Sequence, residues 1–412
     1  MTTEQSPPPV SARPSIRLAA GMSRRLRRGH PWIFSNEVEM TAEARALPPG
    51  AVVTVVDAGG ERLGVATFNP HPLIAARMLS RDPDATIDAA FLAARLRQAL
   101  RLRDEMLDEP FYRLVHSEAD GLPGLVVDRY GDVLACQVNT AGMESLLPEL
   151  LEALDTVLAP SAVVLRNDGP FRTLEGLESY TRVVRGTREE DVRGTIEEPV
   201  EVRENGARFL ADLLHGQKTG WFYDQRDNRA FVARLARGRR VIDLYAYTGG
   251  FAVQAALGGA TEVVAVDRSE SALALAERAA ELNGVAPRCR FVRAEAFGEM
   301  ERLADQGERF GMVVCDPPAF VKSRKDLAAG LKGYRRMTRL GAGLVEPGGF
   351  LLVASCSHHA TPEAFAEEVR HGLAQAGRTG RILRVAGAAP DHPVHPSLPE
   401  SAYLKAMVIH LD

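Results

Sequence analysis

Cys356 stands between two serines in Ser355-Cys356-Ser357-His358-His359, directly after the apolar run Phe350 to Ala354. A thiol that leaves a core at this point is accessible, and its thiolate is a strong nucleophile. At an ordinary pKa of about 8.5 only a few per cent is ionised at neutral pH, so the surroundings must help. A carboxylate follows a neighbouring apolar run: Asp316 opens Asp316-Pro317-Pro318-Ala319-Phe320. Two prolines fix its direction, which suits it to orienting a ligand, although a rigid turn would look the same. A third constellation is Thr248-Gly249-Gly250 between a strand-like and a helix-like run, with Asp243 before it and Asp267 24 residues beyond Asp243. Paired glycines let a ligand approach the main chain, and an acidic residue roughly 20 positions on meets ribose hydroxyls in doubly wound folds. The three-glycine fingerprint is absent, since Tyr247 occupies the place of a first glycine. A purely structural turn is therefore the competing reading. His358 and His359 beside Cys356 suggest zinc, but a ligand is missing and side chains on one turn cannot readily converge.

These groups need a frame. The runs Val241 to Leu244, Glu262 to Val266, Gly311 to Cys315 and Gly349 to Ala354 read as strands that each end in a polar residue and alternate with helices. That pattern builds a parallel sheet whose carboxyl edge carries the site. Ser269 can cap a helix that ends at Asn283-Gly284, and Cys289 to Arg293 reads as a strand leading to Glu295-Ala296. Cys315 lies inside its run and by alternation points to the face opposite Asp316.

In this order DLYAYTGGF (243–251), AVD (265–267), DPPAF (316–320) and SCSHH (355–359) resemble class I S-adenosylmethionine-dependent methyltransferases. They resemble most closely the bacterial ribosomal RNA large-subunit methyltransferase I family, which makes 5-methylcytidine. HPWIFSNEV (30–38), HSEADGLPGLVVDRYGD (116–132) and GQKTGWFYDQRDNR (216–229) extend the resemblance over nearly all of the chain after the first fifteen residues. It implies an α/β class I Rossmann-like methyltransferase domain, closed by an antiparallel C-terminal strand and preceded by a small β-rich PUA-like domain and a central α+β domain. It implies S-adenosyl-L-methionine as cofactor and large-subunit ribosomal RNA as partner. Asp243, Tyr245, Gly249, Asp267, Glu295 and Ala296 would surround the methyl donor, with Gln217, Lys218, Thr219, Asp224 and Arg226 beside it. Cytosine C5 is a poor nucleophile until a thiolate adds to C6, which is the role implied for Cys356. Asp316 would hold the base, accepting from its N4 amino group or, if protonated, donating to N3. Two rivals remain: amino-group or guanine-N7 methylation with the DPPAF turn and no cysteine, and an inactive RNA-binding assembly factor on the same fold.

At 412 residues the chain exceeds one compact core, and 45% hydrophobic with 25% charged residues is ordinary for a globular protein. Residues 1–14 are expected to be a disordered tail, 15–80 the PUA-like domain, 81–195 the central domain and 196–412 the methyltransferase domain. Gly59-Gly60 and Asn205-Gly206 mark hairpins, 84–109 reads as one amphipathic helix, and a second helix is expected over 142–158. Trp32 and Phe34 are expected in the core, and His116 and Glu118 to serve local hydrogen bonds. Four cysteines without a Cys-x-x-Cys pair argue against a disulfide framework and a metal cluster. No apolar run approaches 18 residues and the amino terminus has no apolar core, so a cytoplasmic protein without membrane or metal partners is expected. The oligomeric state, a homodimer included, stays open. A net charge of −4 does not suggest a nucleic-acid binder, yet 5–36 holds six arginines and no acidic residue. Lys322 to Arg339 holds seven basic residues against one Asp. Arg24, Arg25, Arg27, Arg28, Lys322, Arg324 and Lys325 are expected to face RNA phosphates.

Overall fold

The computed structural model describes residues 13–184, 196 and 199–412; most of the N-terminal tail and the expected boundary at 195 lie outside the described residues. Arg13 and Pro14, placed in the tail by sequence, are tied down: the Arg13 guanidinium donates to the Ala85 carbonyl at 2.6 Å, and the Pro14 carbonyl accepts from Thr54 N–H.

The first layer is a sheet of β1 (Ser15–Arg17), β2 (Trp32–Phe34), β3 (Ala51–Val56), β4 (Arg62–Phe68) and β5 (Ile74–Ser80), in the order β1-β3-β4-β5-β2. β3 and β4 form the hairpin expected at Gly59-Gly60, where Gly60 takes φ +91° and Asp57 accepts from the N–H groups of Gly59 and Glu61. Ile16, Ile33, Val53, Val55 and Phe68 fill its core. Trp32 and Phe34 are only half-buried, correcting the expectation of two core aromatics. Strand alternation sends Ile33 inward and its neighbours out, and the Trp32 indole N–H donates to Glu118 at 2.7 Å across to the second layer.

The second sheet holds β6 (Phe111–His116), β7 (Leu125–Tyr130), β8 (Val133–Val138), β9 (Ala162–Asn167) and β10 (Tyr180–Val184) in sequential order. The helices Ala89–Asp104 and Leu147–Leu158 share its core, with Leu92, Leu96, Leu150 and Leu154 buried. The first helix is shorter than 84–109 because the Asp88 carboxylate caps it, accepting from Phe91 N–H at 2.8 Å. The expected helix 142–158 is two, Ala141–Ser145 and Leu147–Leu158, since Pro148 has no N–H to continue a helix across the junction.

A hairpin, β11 (Val200–Glu204) and β12 (Ala207–Ala211), turns at Asn205-Gly206 with both residues at positive φ. It leads into a seven-stranded sheet: β13 (Arg240–Leu244), β14 (Glu262–Asp267), β15 (Cys289–Arg293), β16 (Phe310–Cys315), β17 (Val345–Ser355), β18 (Gly380–Ala386) and β19 (Lys405–Leu411). The order is β15-β14-β13-β16-β17-β19-β18; β13 to β17 run parallel and β19 is antiparallel to both neighbours. Helices cover both faces, so the central strands are buried throughout, as their unbroken Val/Ile/Leu runs require. The order reverses between β13 and β16, and a crevice opens outside the strand ends at such a point. Among the described residues no helix is long and apolar enough to cross a membrane.

Candidate active site at the carboxyl edge of the sheet

The turn after β13 is held in a costly shape. Tyr245, Tyr247 and Gly249 take φ of +68°, +50° and +81°, and two of the three are not glycine. Left-handed backbone at a bulky residue costs on the order of 1–2 kcal/mol and persists only where neighbours enforce it. Here Tyr247 N–H donates to Asp267 Oδ2 at 2.9 Å, and the Tyr247 hydroxyl accepts from Gln217 N–H at 3.0 Å. Tyr247 thus adopts the conformation for which a glycine would be the usual choice. At Gly249 an added Cβ would lie 2.8 Å from that of Ala276.

Asp243 is buried, and its Oδ2 accepts from Ala252 N–H in the first turn of the helix Gly250–Leu257. Burial, with the charge of Asp316, pushes its carboxyl up to about 8. Its Oδ1, the Tyr245 hydroxyl and the Thr248 hydroxyl are buried without a hydrogen-bond partner. Orphaned polar atoms at a crevice mark a place for a polar ligand. Asp267, at the end of β14, is half-buried and accepts from Tyr247 and Ser269 N–H groups, which leaves one lone pair on each oxygen. Glu295 is exposed and spends Oε2 on capping the helix Ala296–Asp305; Ala296 is buried.

Asp316 and Cys356 follow the adjacent strands β16 and β17. Cys356 Sγ lies 3.9 Å from the Pro317 carbonyl. The turn that carries it is braced on both sides. Ser357 Oγ accepts from Val321 N–H at 3.1 Å and meets the Tyr334 hydroxyl at 2.7 Å, while Ser355 Oγ reaches the same hydroxyl at 2.8 Å. Burial raises the Cys356 thiol; Lys218 pulls it down, and Asp316 and Asp224 push it up. Asp316 is pushed up to about 7 by burial and the charge of Asp224, against the pull of Arg229 and a Gln225 hydrogen bond. A carboxyl so poised can accept or donate near neutral pH. Cys315, one residue earlier, is wholly buried and its thiol is driven far up.

The segment 217–226 divides. Gln217 and Lys218 are exposed. Asp224 is buried: its Oδ2 accepts from the Tyr403 hydroxyl at 2.5 Å and its Oδ1 has no partner. Burial alone would push it up, but His392, Lys218 and Tyr403 hold it below the ordinary carboxylate range. Its charge is felt at both Asp316 and Cys356. Thr219 and Arg226 are engaged with the second sheet. Thr219 Oγ1 donates to Asp128 at 2.5 Å, and the Arg226 guanidinium donates to the Phe111 carbonyl. Sequence reasoning missed Gln225, Arg229, Tyr403 and Lys405. Gln225 and Arg229 stand in the quoted 216–229 motif, but Tyr403 and Lys405 arrive from β19 and its approach with no local signal. His116 is also brought nearer than expected, its ring 5.1 Å from His392 and 6.4 Å from Tyr403. Glu118 instead bridges Trp32 and Arg77 of the first layer.

The expected basic surface is half engaged. Arg25 pairs with Glu37, and Arg27 with Asp57 and Glu61, whereas Arg24 and Arg28 are exposed without such partners. Lys322, Arg324 and Lys325 are exposed in the loop after the DPPAF turn. Among the described residues no group of His, Cys, Asp or Glu is gathered to hold a metal.

Comparison with known families gives the class: the chain is an S-adenosylmethionine-dependent methyltransferase. Residues 181–409 match the model of that family, described as S-adenosylmethionine-dependent methyltransferase, and 16–81 match a PUA-like domain. The chain is 38% identical over 398 residues to the ribosomal RNA large subunit methyltransferase I of Cronobacter sakazakii, covering 96% of this chain and 98% of that protein. It is 36% identical over 392 residues to the Escherichia coli protein of the same name, covering 94% and 97%. It belongs to the ribosomal RNA large subunit methyltransferase I family. In fold it is similar to SMU.776, a structure complexed with SAH, at TM-score 0.80, 20% identity and coverage of 96% of this chain and 100% of that one. A methyltransferase structure from Streptococcus mutans gives TM-score 0.78 at 20% identity and the same coverage.

Proposed function

We propose that the chain methylates C5 of a cytosine in large-subunit ribosomal RNA, with Cys356 as nucleophile. One observation carries this reading: a part-buried thiol on a braced turn and the Asp316 carboxyl sit at the ends of adjacent strands, next to the crevice with the orphaned polar atoms. Asp243, Tyr245, Gly249 and Asp267 would hold S-adenosylmethionine, Asp267 at its ribose hydroxyls, with Glu295 and Ala296 at the adenine side. When bound it supplies an electrophilic methyl group on a sulfonium. Asp316 in its protonated form donates to N3 of the base and drains the ring of charge. The Cys356 thiolate then adds to C6, which makes C5 an enamine carbon. After methylation the C5 proton passes to water or a basic group, the electron pair of that bond expels the thiolate, and the N3 proton returns to Asp316 as the ring is restored. Arg24, Arg28, Lys322, Arg324 and Lys325 would draw in RNA phosphates.

An RNA carrying 5-fluorocytidine at the target has no removable C5 proton, so it should leave a complex with the wild-type enzyme that survives denaturation. Amino-group or N7 methylation passes through no such adduct. A labelled methyl group recovered on a purine, with no trapped complex, sinks the cytosine reading and promotes the thiol-free alternative. Loss of S-adenosylmethionine binding in calorimetry would instead favour the inactive assembly factor.

A further inference from the structure

Lys405 opens β19 opposite Ser355 on β17 and is buried to 7% exposure. Its Nζ donates to the Ser357 carbonyl at 2.6 Å. Among the described residues no carboxylate pairs with it, and the carbonyl that holds it belongs to the residue directly after Cys356, whose thiolate would steady the ammonium. Burial draws Lys405 down to about 8. A buried lysine without a carboxylate has no structural reason to keep its charge, since a Met or Leu would fill the space without the desolvation cost.

We propose that Lys405 is the positioning residue for the Cys356 nucleophile: it pins the turn that carries the thiol and supplies the buried counter-charge for the thiolate. This rests on the reading of Cys356 given above. Six titratable groups face the thiol: Lys218 from the solvent side, Asp316 after β16, Asp224 before the helix Arg226–Leu235, Tyr334 from the helix Leu327–Leu344, and Tyr403 and Lys405 from the C-terminal segment. His358, on the same turn, feels the Lys405 charge as well. The charge of Asp224, and that of Asp316 when it is ionised, opposes ionisation of the thiol, and a cation on the buried side, where solvent screens least, offsets it. On ionisation the S–H proton passes to water, or to the Lys405 amine if that is neutral; either route leaves a thiolate beside an ammonium, and no other bond changes.

The test reads the thiol itself. In the full-length protein, alkylation of Cys356 by iodoacetamide is followed by peptide mass spectrometry across pH, with S-adenosylmethionine binding as the folding control. Lys405→Met should move the midpoint up by about one unit, roughly tenfold slower alkylation near neutral pH, and Lys405→Arg should restore most of it. An unchanged midpoint in folded Lys405→Met overturns the proposal. Should that variant not fold, the reciprocal measurement decides: by linkage the Lys405 ammonium, followed by carbon-13 NMR, should titrate lower in Cys356→Ala than in the wild type. An unmoved titration also overturns it. Neither measurement involves RNA, so failure of the 5-fluorocytidine trap would sink the nucleophile while leaving the ion pair standing. A successful trap with an unmoved midpoint would sink only the role of Lys405.

Discussion

Cys315 and Cys356 lie at the ends of neighbouring parallel strands, and burial raises both thiols, yet their exposure and counter-charges differ. Cys315 is the last residue of β16, packed among Val313, Leu351 and the helix Leu327–Leu344, close to where a Cβ on Gly341 would sit. Cys356 is the first residue past β17, part-buried, with the Lys218 charge felt on one side and Lys405 hydrogen-bonded to the carbonyl of the next residue on the other. The acids repeat the contrast. Asp243 is still within β13 and is held near neutrality by burial, while Asp267 closes β14 and stays open. One residue of register at a strand end decides between core and chemistry, because solvent, loop backbone and counter-charges all begin there.

The largest effect should come from exchanging the two cysteines for inert groups. Cys356→Ala is expected to lower methyl transfer at least ~10³-fold and abolish trapping, with S-adenosylmethionine binding intact. Cys315→Ser should keep turnover while losing about 1–3 kcal/mol of stability to a buried hydroxyl. Activity that survives in Cys356→Ala would erase the distinction.

The acids give a smaller, opposite pair of outcomes. Asp267→Ala should weaken cofactor binding several-fold by calorimetry, since charge-assisted hydrogen bonds are lost. Asp243→Asn should raise the melting temperature of the ligand-free protein at pH 8 and above. The sign follows from its elevated carboxyl: the folded state prefers the protonated form, so stability is lost as pH rises from about 4 through about 8. A melting temperature that falls in Asp243→Asn contradicts the buried assignment.

A pH profile sharpens the contrast between the two strand ends. The thiolate is gained as pH rises and the protonated form of Asp316 is lost through about 7, so kcat/KM should be bell-shaped. Asp316→Asn should lose the alkaline fall and keep the acid-side rise; an unaltered profile removes Asp316 as the donor. The smallest effect is expected on the first layer, where the same division between engaged and open holds. Neutralising Arg24 and Arg28 should flatten the salt dependence of RNA binding by roughly 0.7 to 0.9 per contact. Neutralising the ion-paired Arg25 and Arg27 should change it less, and equal slopes would show that pairing does not matter.

Much of this architecture was legible before any coordinates. The four apolar runs with polar ends mark β13, β14, β16 and β17, because strands buried on both faces must be continuously apolar. Asn205-Gly206 and Gly59-Gly60 mark their hairpins, because few residues tolerate positive φ. Cys356 and Asp316 stand out for the same local reason: each interrupts the chain where an apolar run ends. What local pattern could not supply is the partner of each group. Thr219 and Arg226, expected beside the methyl donor, are hydrogen-bonded to the second sheet, which no local pattern announces. Arg25 and Arg27 look like RNA contacts and are held by carboxylates up to 34 positions away. Lys405 and Tyr403 reach the site only because β19 inserts between β17 and β18. Strands, turns and the groups able to react are local properties, set by residues a few positions apart, and so can be read from the chain alone. Burial, counter-charge and thiol ionisation depend instead on folding, because they are sums over neighbours such as Lys218, Asp224, Asp316 and Lys405 that lie far apart along the chain.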